Sequence, residues 1–232
     1  MDYQVIPTIW EEDYEEVYKK LKGVEDVAER VLFDIMDGRF VRKYSWTNPH
    51  DLKAKKFDLN YEGHLMTKDP EDKYYDWIQG GLSRIYFHYD AMKDKPEVED
   101  EYGRKLDAIP NLIKEIKGYK REVGIALLPD VDWQPIIDHM NDIDCVLLLT
   151  AKTWIKRRKF LEDTIPKVKS LRKFYEELDI AVQGCIDPEN IESLKEAGAN
   201  TFYVNDYIWE SDDPEEAFET LQDIVKEEDE DN

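Results

Sequence analysis

The chain has 232 residues, of which 41% are hydrophobic and 37% charged, enough apolar material for one sizeable core and unlike the composition of a disordered chain. Its net charge of −22 repels nucleic-acid phosphates and anionic lipid headgroups alike, so neither nucleic acid nor a membrane is an expected partner. The two cysteines, Cys145 and Cys185, imply no disulfide framework, and the N-terminus lacks the basic and apolar regions of a signal peptide, so a cytoplasmic location is expected.

Short apolar runs alternate with segments of helical period from end to end, the pattern of βα units around a parallel sheet. The first strand is expected at residues 4–9 and a helix at 11–21. The second strand, 31–35, carries Asp34 inside an apolar run and leads to Asp37 and a turn at Gly38. A carboxylate within a buried strand is costly unless something pairs with it. Asp34 therefore reads either as a group facing a metal or substrate or as a satisfied core hydrogen bond, whereas Asp37 reads as the cap of the following turn.

A short helix in 47–56 precedes a third strand at 59–66, a helix at 70–79 and a fourth strand at 84–88. An acidic, irregular stretch follows at 91–104, which reads as a lid or a solvated insertion. Beyond it the expected order is helix 105–119, strand 123–128, helix 133–140, strand 145–149, helix 166–178, strand 180–183, helix 188–196, strand 201–204 and helix 214–227. Aspartate–proline pairs at 69–70, 187–188 and 213–214 mark helix starts, and Gly198 marks a helix stop. Residues 226–232 are nearly all acidic and read as a solvated tail, which leaves 1–225 as one domain.

Eight strands with interleaved helices in this length fit an α/β fold of the single-domain (β/α)8 TIM-barrel type better than a doubly wound sheet. The latter needs a glycine-rich loop after its first strand, and none follows Ile9, so no nucleotide cofactor is expected. In a barrel the chemistry sits at the carboxyl ends of strands. Those ends lie near Asp34, His64, His88, Thr150 and Gln183.

Several of these stretches, in order, resemble one known family. They are Val5-Ile6-Pro7-Thr8-Ile9, Asp34-Ile35-Met36-Asp37-Gly38-Arg39-Phe40-Val41, His64-Leu65-Met66, Phe87-His88, Ala126-Leu127-Leu128-Pro129, residues 144–150, Val182-Gln183-Gly184-Cys185-Ile186 and Ala197-Gly198-Ala199-Asn200. Together they are similar to the successive strand motifs of ribulose-phosphate 3-epimerases, barrels of the ribulose-phosphate-binding type. The resemblance implies proton transfer at carbon 3 of a ketose phosphate through an enediolate, with two carboxylates on opposite faces of the sugar and a divalent zinc, manganese or iron ion.

Carried over position by position, the resemblance makes Asp34 a catalytic base and a metal ligand, and His64 a second metal ligand. Thr8, Met36, Met66 and Gly184 fall where substrate is bound. Two ligand positions differ, because Leu32 stands where a histidine belongs and Gln183 where the second carboxylate belongs. Leucine cannot ligate, and glutamine is neither a good ligand nor an acid–base group near neutral pH.

The phosphate loops differ too. No glycine remains in residues 150–160, and Asn205-Asp206 replaces a Gly-Ser pair. Lys152, Lys156, Arg157, Arg158 and Lys159 suggest an anion site gripped by side chains, with Lys156, Arg157 and Arg158 at its centre, or else a basic surface. Glu62, two residues before His64 on the same strand face, is the one stand-in for the lost carboxylate.

Two function classes follow. One is an isomerase or epimerase of a sugar phosphate or related sugar with altered metal and phosphate sites. The other is a non-catalytic barrel that binds sugar phosphate or protein. A homo-oligomer is what the resemblance implies for assembly.

Overall fold

The computed structural model describes residues 2–54, 57–99, 102–152 and 158–226. Eight parallel strands close into a barrel. They are β1 (Gln4–Ile9), β2 (Arg30–Met36), β3 (Asn60–Met66), β4 (Leu82–His88), β5 (Glu122–Leu127), β6 (Cys145–Leu149), β7 (Asp179–Gln183) and β8 (Thr201–Val204). Each pairs with its neighbours in sequence, and β8 closes the ring on β1 with Gln4 opposite Thr201 and Pro7 opposite Val204.

Helices form the outer layer: α1 (Tyr14–Lys22), α2 (Asp51–Ala54), α3 (Tyr74–Gly80), α4 (Tyr89–Met92), α5 (Ala108–Gly118), α6 (Thr164–Phe174), α7 (Ile191–Glu196), α8 (Asp206–Trp209) and α9 (Pro214–Lys226). Their starts follow from local chemistry. At α1, for example, the Asp13 carboxylate accepts from the backbone N–H groups of Glu15 and Glu16, which have no partner within the helix. Apolar residues of both layers, among them Phe33, Trp77, Ile125, Leu171 and Phe202, fill the space between sheet and helices.

Where the elements differ from the sequence reading, the cause is local. Pro70 and Pro135 open segments that wind as tighter 3-10 turns, Pro70–Asp72 and Gln134–His139, rather than as full α-helices. Within the irregular stretch after β4, Val98–Glu99 pairs antiparallel with Lys105–Leu106. Val98, Glu99 and Tyr102 line a cleft with Asn111 and Lys114 of α5, so this hairpin sits against the helical wall. Helix α9 ends at Lys226, and residues 227–232 of the expected tail lie outside the described residues.

Inside the barrel the side chains separate into two levels. The lower level, near the amino ends of the strands, is ionic. Glu62 is wholly buried; it pairs with Arg30 Nη1 at 2.8 Å and accepts from the Tyr203 hydroxyl. Arg84 beside it donates to Glu122 at 2.7 Å and to Asp179 at 2.9 Å. The Tyr203 and Tyr86 hydroxyls are 3.0 Å apart, and burial pushes both phenols well above their ordinary range.

Gly124 makes room for this arrangement, since a Cβ there would come within 2.5 Å of the Tyr86 ring. Apolar side chains, among them Ile6, Leu32, Ala126, Leu147 and Ala181, pack with Tyr86 and Tyr203 in the barrel interior. The mouth opens above that.

Candidate active site

Four strands bring polar side chains to one level at the mouth. Asp34 stands on β2, His64 on β3, His88 at the end of β4 and Gln183 at the end of β7. Asp34 and His64 are register partners, which their positions in a parallel pair dictate. All four are buried, Asp34 keeping 8% exposure.

A continuous chain of hydrogen bonds joins them. Gln183 Nε2 donates to both carboxylate oxygens of Asp34, at 2.9 Å each. His64 Nδ1 lies 2.9 Å from Asp34 Oδ1, and His64 Nε2 lies 2.9 Å from His88 Nε2. An ionised Asp34 fixes the tautomers, because a bare ring nitrogen facing a carboxylate would repel it. His64 then donates through Nδ1, and His88 donates through Nε2 to the remaining His64 nitrogen.

His88 Nδ1 is left buried with no partner. Burial, with His64 as the second cause, holds the His88 imidazole well below the ordinary histidine range, so it stays neutral. Phe40, on the loop after β2, covers it at a ring separation of 4.5 Å.

That loop is shaped by Asp37, whose Oδ1 accepts from the backbone N–H groups of Arg39 and Phe40 and whose Oδ2 accepts from that of Lys68. It also carries Lys43, a residue with no signal in the sequence. Lys43 is partly buried, with its Nζ 4.5 Å from the centre of the Trp10 ring. Burial and the Arg158 charge lower its pKa, against the opposing pull of Asp206 and Asp34. Lys43 is thus a cation within electrostatic reach of Asp34.

The other residues named from the sequence are placed as follows. Met36 and Met66 are buried at the ends of β2 and β3, two residues beyond Asp34 and His64, and pack with Leu32 and Val41. Thr8 is fully buried, with its hydroxyl unpartnered and its carbonyl accepting from Asn205 Nδ2 at 2.7 Å and Trp209 Nε1 at 2.6 Å. Gly184 has φ +121°, a conformation that glycine adopts without strain.

Glu62 does not reach Asp34. It belongs to the ionic level two residues below His64, where Arg30 and Tyr203 engage it. Arg158 Nη2 lies 2.6 Å from Asp206 Oδ1, so the guanidinium meant to grip an anion already holds a carboxylate of the chain itself. Lys156 and Arg157 lie outside the described residues.

These donors do not fit a divalent metal ion. A catalytic zinc ion takes three protein ligands, and non-haem iron commonly does the same, whereas Leu32 offers only hydrocarbon and Gln183 turns its N–H toward Asp34. Both ring nitrogens of His64 are engaged. Among the described residues no group of three histidine, cysteine, aspartate or glutamate side chains converges on a common point.

The pattern of strands and mouth residues is that of one family, and comparison with known proteins decides it. The model of the ribulose-phosphate 3 epimerase family matches residues 4–209. The chain belongs to this family. It is 28% identical to the cytoplasmic isoform of ribulose-phosphate 3-epimerase from Oryza sativa subsp. japonica, over 86% of this chain and 83% of that protein. To the ribulose-phosphate 3-epimerase of Bacillus subtilis it is 27% identical, over 94% of this chain and 98% of that one.

Among solved structures, orotidine 5′-phosphate decarboxylase from Pyrococcus horikoshii OT3 superposes with a TM-score of 0.65 at 14% identity, covering 97% of this chain and all of the other, which shows the barrel fold alone. Among the described residues no helix is long and apolar enough to cross a membrane.

Proposed function

We propose that this family member is a cytoplasmic carbohydrate epimerase that moves a proton at carbon 3 of a ketose phosphate or related sugar, with Asp34 as the base. The observation that carries the reading is the placement of Asp34. It is a nearly buried carboxylate near a strand end, oriented by Gln183 and His64. A carboxylate held in this way is set for general-base work.

In the reaction Asp34 takes the proton from the carbon beside the ketose carbonyl, and the electron pair moves onto the carbonyl oxygen to give an enediolate. Lys43 supplies the positive charge that meets this oxyanion. Return of a proton to the opposite face gives the epimer. This reading assigns the return to the Lys43 ammonium, since Gln183 has no proton to give near neutral pH.

A second reading, a barrel that binds its sugar without turnover, is favoured by one observation: the Gln183 amide occupies both Asp34 oxygens and competes with substrate for them. Incubation with ketopentose and ketohexose phosphates and their free sugars in deuterated water separates the two. The epimerase reading expects deuterium at carbon 3 by NMR, and no exchange with any of these sugars leaves the binding reading.

Lys43 gives a pH signature. Its charged form is the active one and its pKa is lowered, so exchange should fall on the alkaline side, at a pH below that of an ordinary lysine. Lys43→Met is expected to remove this limb and to slow exchange by about 10²-fold. An unchanged profile would take Lys43 out of the mechanism.

A further inference from the structure

We propose that the Gln183 amide stands in place of a resident cation, so that the mouth of this barrel is built to hold Asp34 without any metal. The inference does not depend on turnover and holds equally for an epimerase or a binding barrel.

The geometry argues it atom by atom. A cation held by both oxygens of Asp34 would sit between them. Gln183 Nε2 is already there, 2.9 Å from each oxygen. The amide presents polarised hydrogens and so satisfies the carboxylate as a cation would, but it carries no net charge and has no further ligands to gather.

The ring nitrogens of His64 are spent as well. His64 directs one nitrogen to Asp34 and the other to His88. Leu32, two residues before Asp34 on the inner face of β2, is fully buried and fills with hydrocarbon the space a further ligand would need. A metal entering here would have to displace the amide from both oxygens and break the His64–His88 bond, in return for two strong ligands. Gln183 and Leu32 are thus paired changes: one replaces the charge, and the other closes the coordination space.

The test is zinc binding to the full chain after dialysis against chelator, measured by calorimetry and by competition with a chromogenic chelator. The wild-type protein should take up no zinc that depends on His64. Leu32→His combined with Gln183→Asp should bind one equivalent at least about 100-fold more tightly than wild type, with a zinc-dependent rise in melting temperature. Adding His64→Ala to the double variant should abolish that gain.

If the double variant does not fold, Gln183→Asp alone serves, and its melting temperature should rise with zinc where that of the wild type does not. Two results would overturn the proposal. One is wild-type protein that retains an equivalent of zinc through dialysis and loses it in His64→Ala. The other is a folded variant, double or single, whose melting temperature and calorimetry are unmoved by zinc.

Discussion

Asp34→Asn is expected to slow deuterium exchange at carbon 3 by about 10²–10⁴-fold while leaving the barrel folded. The asparagine keeps the size of the side chain but cannot take a proton from carbon. It also disturbs its own support, because Gln183 Nε2 donates to both oxygens of the carboxylate and one of those positions becomes an NH2 group. Two N–H groups would then face each other inside the barrel, so a modest drop in melting temperature should accompany the loss of rate.

Circular dichroism and NMR exchange on the same preparation separate the two effects. A rate that stays within a few-fold of wild type in folded Asp34→Asn protein would remove Asp34 as the base. A rate that falls only in proportion to unfolding would make its role structural.

The largest expected effect on stability lies below the mouth. Glu62→Leu should cost about 1–3 kcal/mol in urea unfolding, the usual consequence of taking a buried acceptor from its donor. Glu62 is wholly buried, and its loss takes from the Tyr203 hydroxyl its carboxylate acceptor, leaving only the contact with the Tyr86 hydroxyl at 3.0 Å. The Arg30 side chain is about one-third open to solvent and can rehydrate, so it adds little. A midpoint shift worth less than about 1 kcal/mol would show that the Tyr86 hydroxyl alone satisfies that of Tyr203.

The barrel was legible in the sequence because each strand is a short apolar run bounded by capping chemistry, and that information is local. Strands at Gln4–Ile9, Cys145–Leu149 and Thr201–Val204 match the sequence reading to the residue. The departures at 70–72 and 134–139 are also local, since proline at the start of a short segment favours the tighter turn. Helices α4 and α8 are single turns with too little periodicity to be read.

For the site, the individual residues could be read but their partners could not. Asp34, His64 and Gln183 stand out singly. That Gln183 clamps Asp34 across 149 positions of sequence follows only from barrel closure. Arg158 reads from sequence as part of an anion grip, and its ion pair with Asp206, 48 positions away, needs the loops in place. Lys43 left no trace because a lysine in a polar loop looks the same whether it faces solvent or a barrel mouth.

The two levels inside the barrel bear on how such a protein changes over evolutionary time. The ionic level of Glu62, Arg84, Arg30 and Tyr203 shares no hydrogen bond with the chain of Gln183, Asp34, His64 and His88 above it. Substitutions at the mouth can therefore be tried without loosening the foundation. A leucine at position 32 and a glutamine at 183 are changes such a scaffold can absorb, so the chemistry of its mouth is free to drift while its shape is inherited intact.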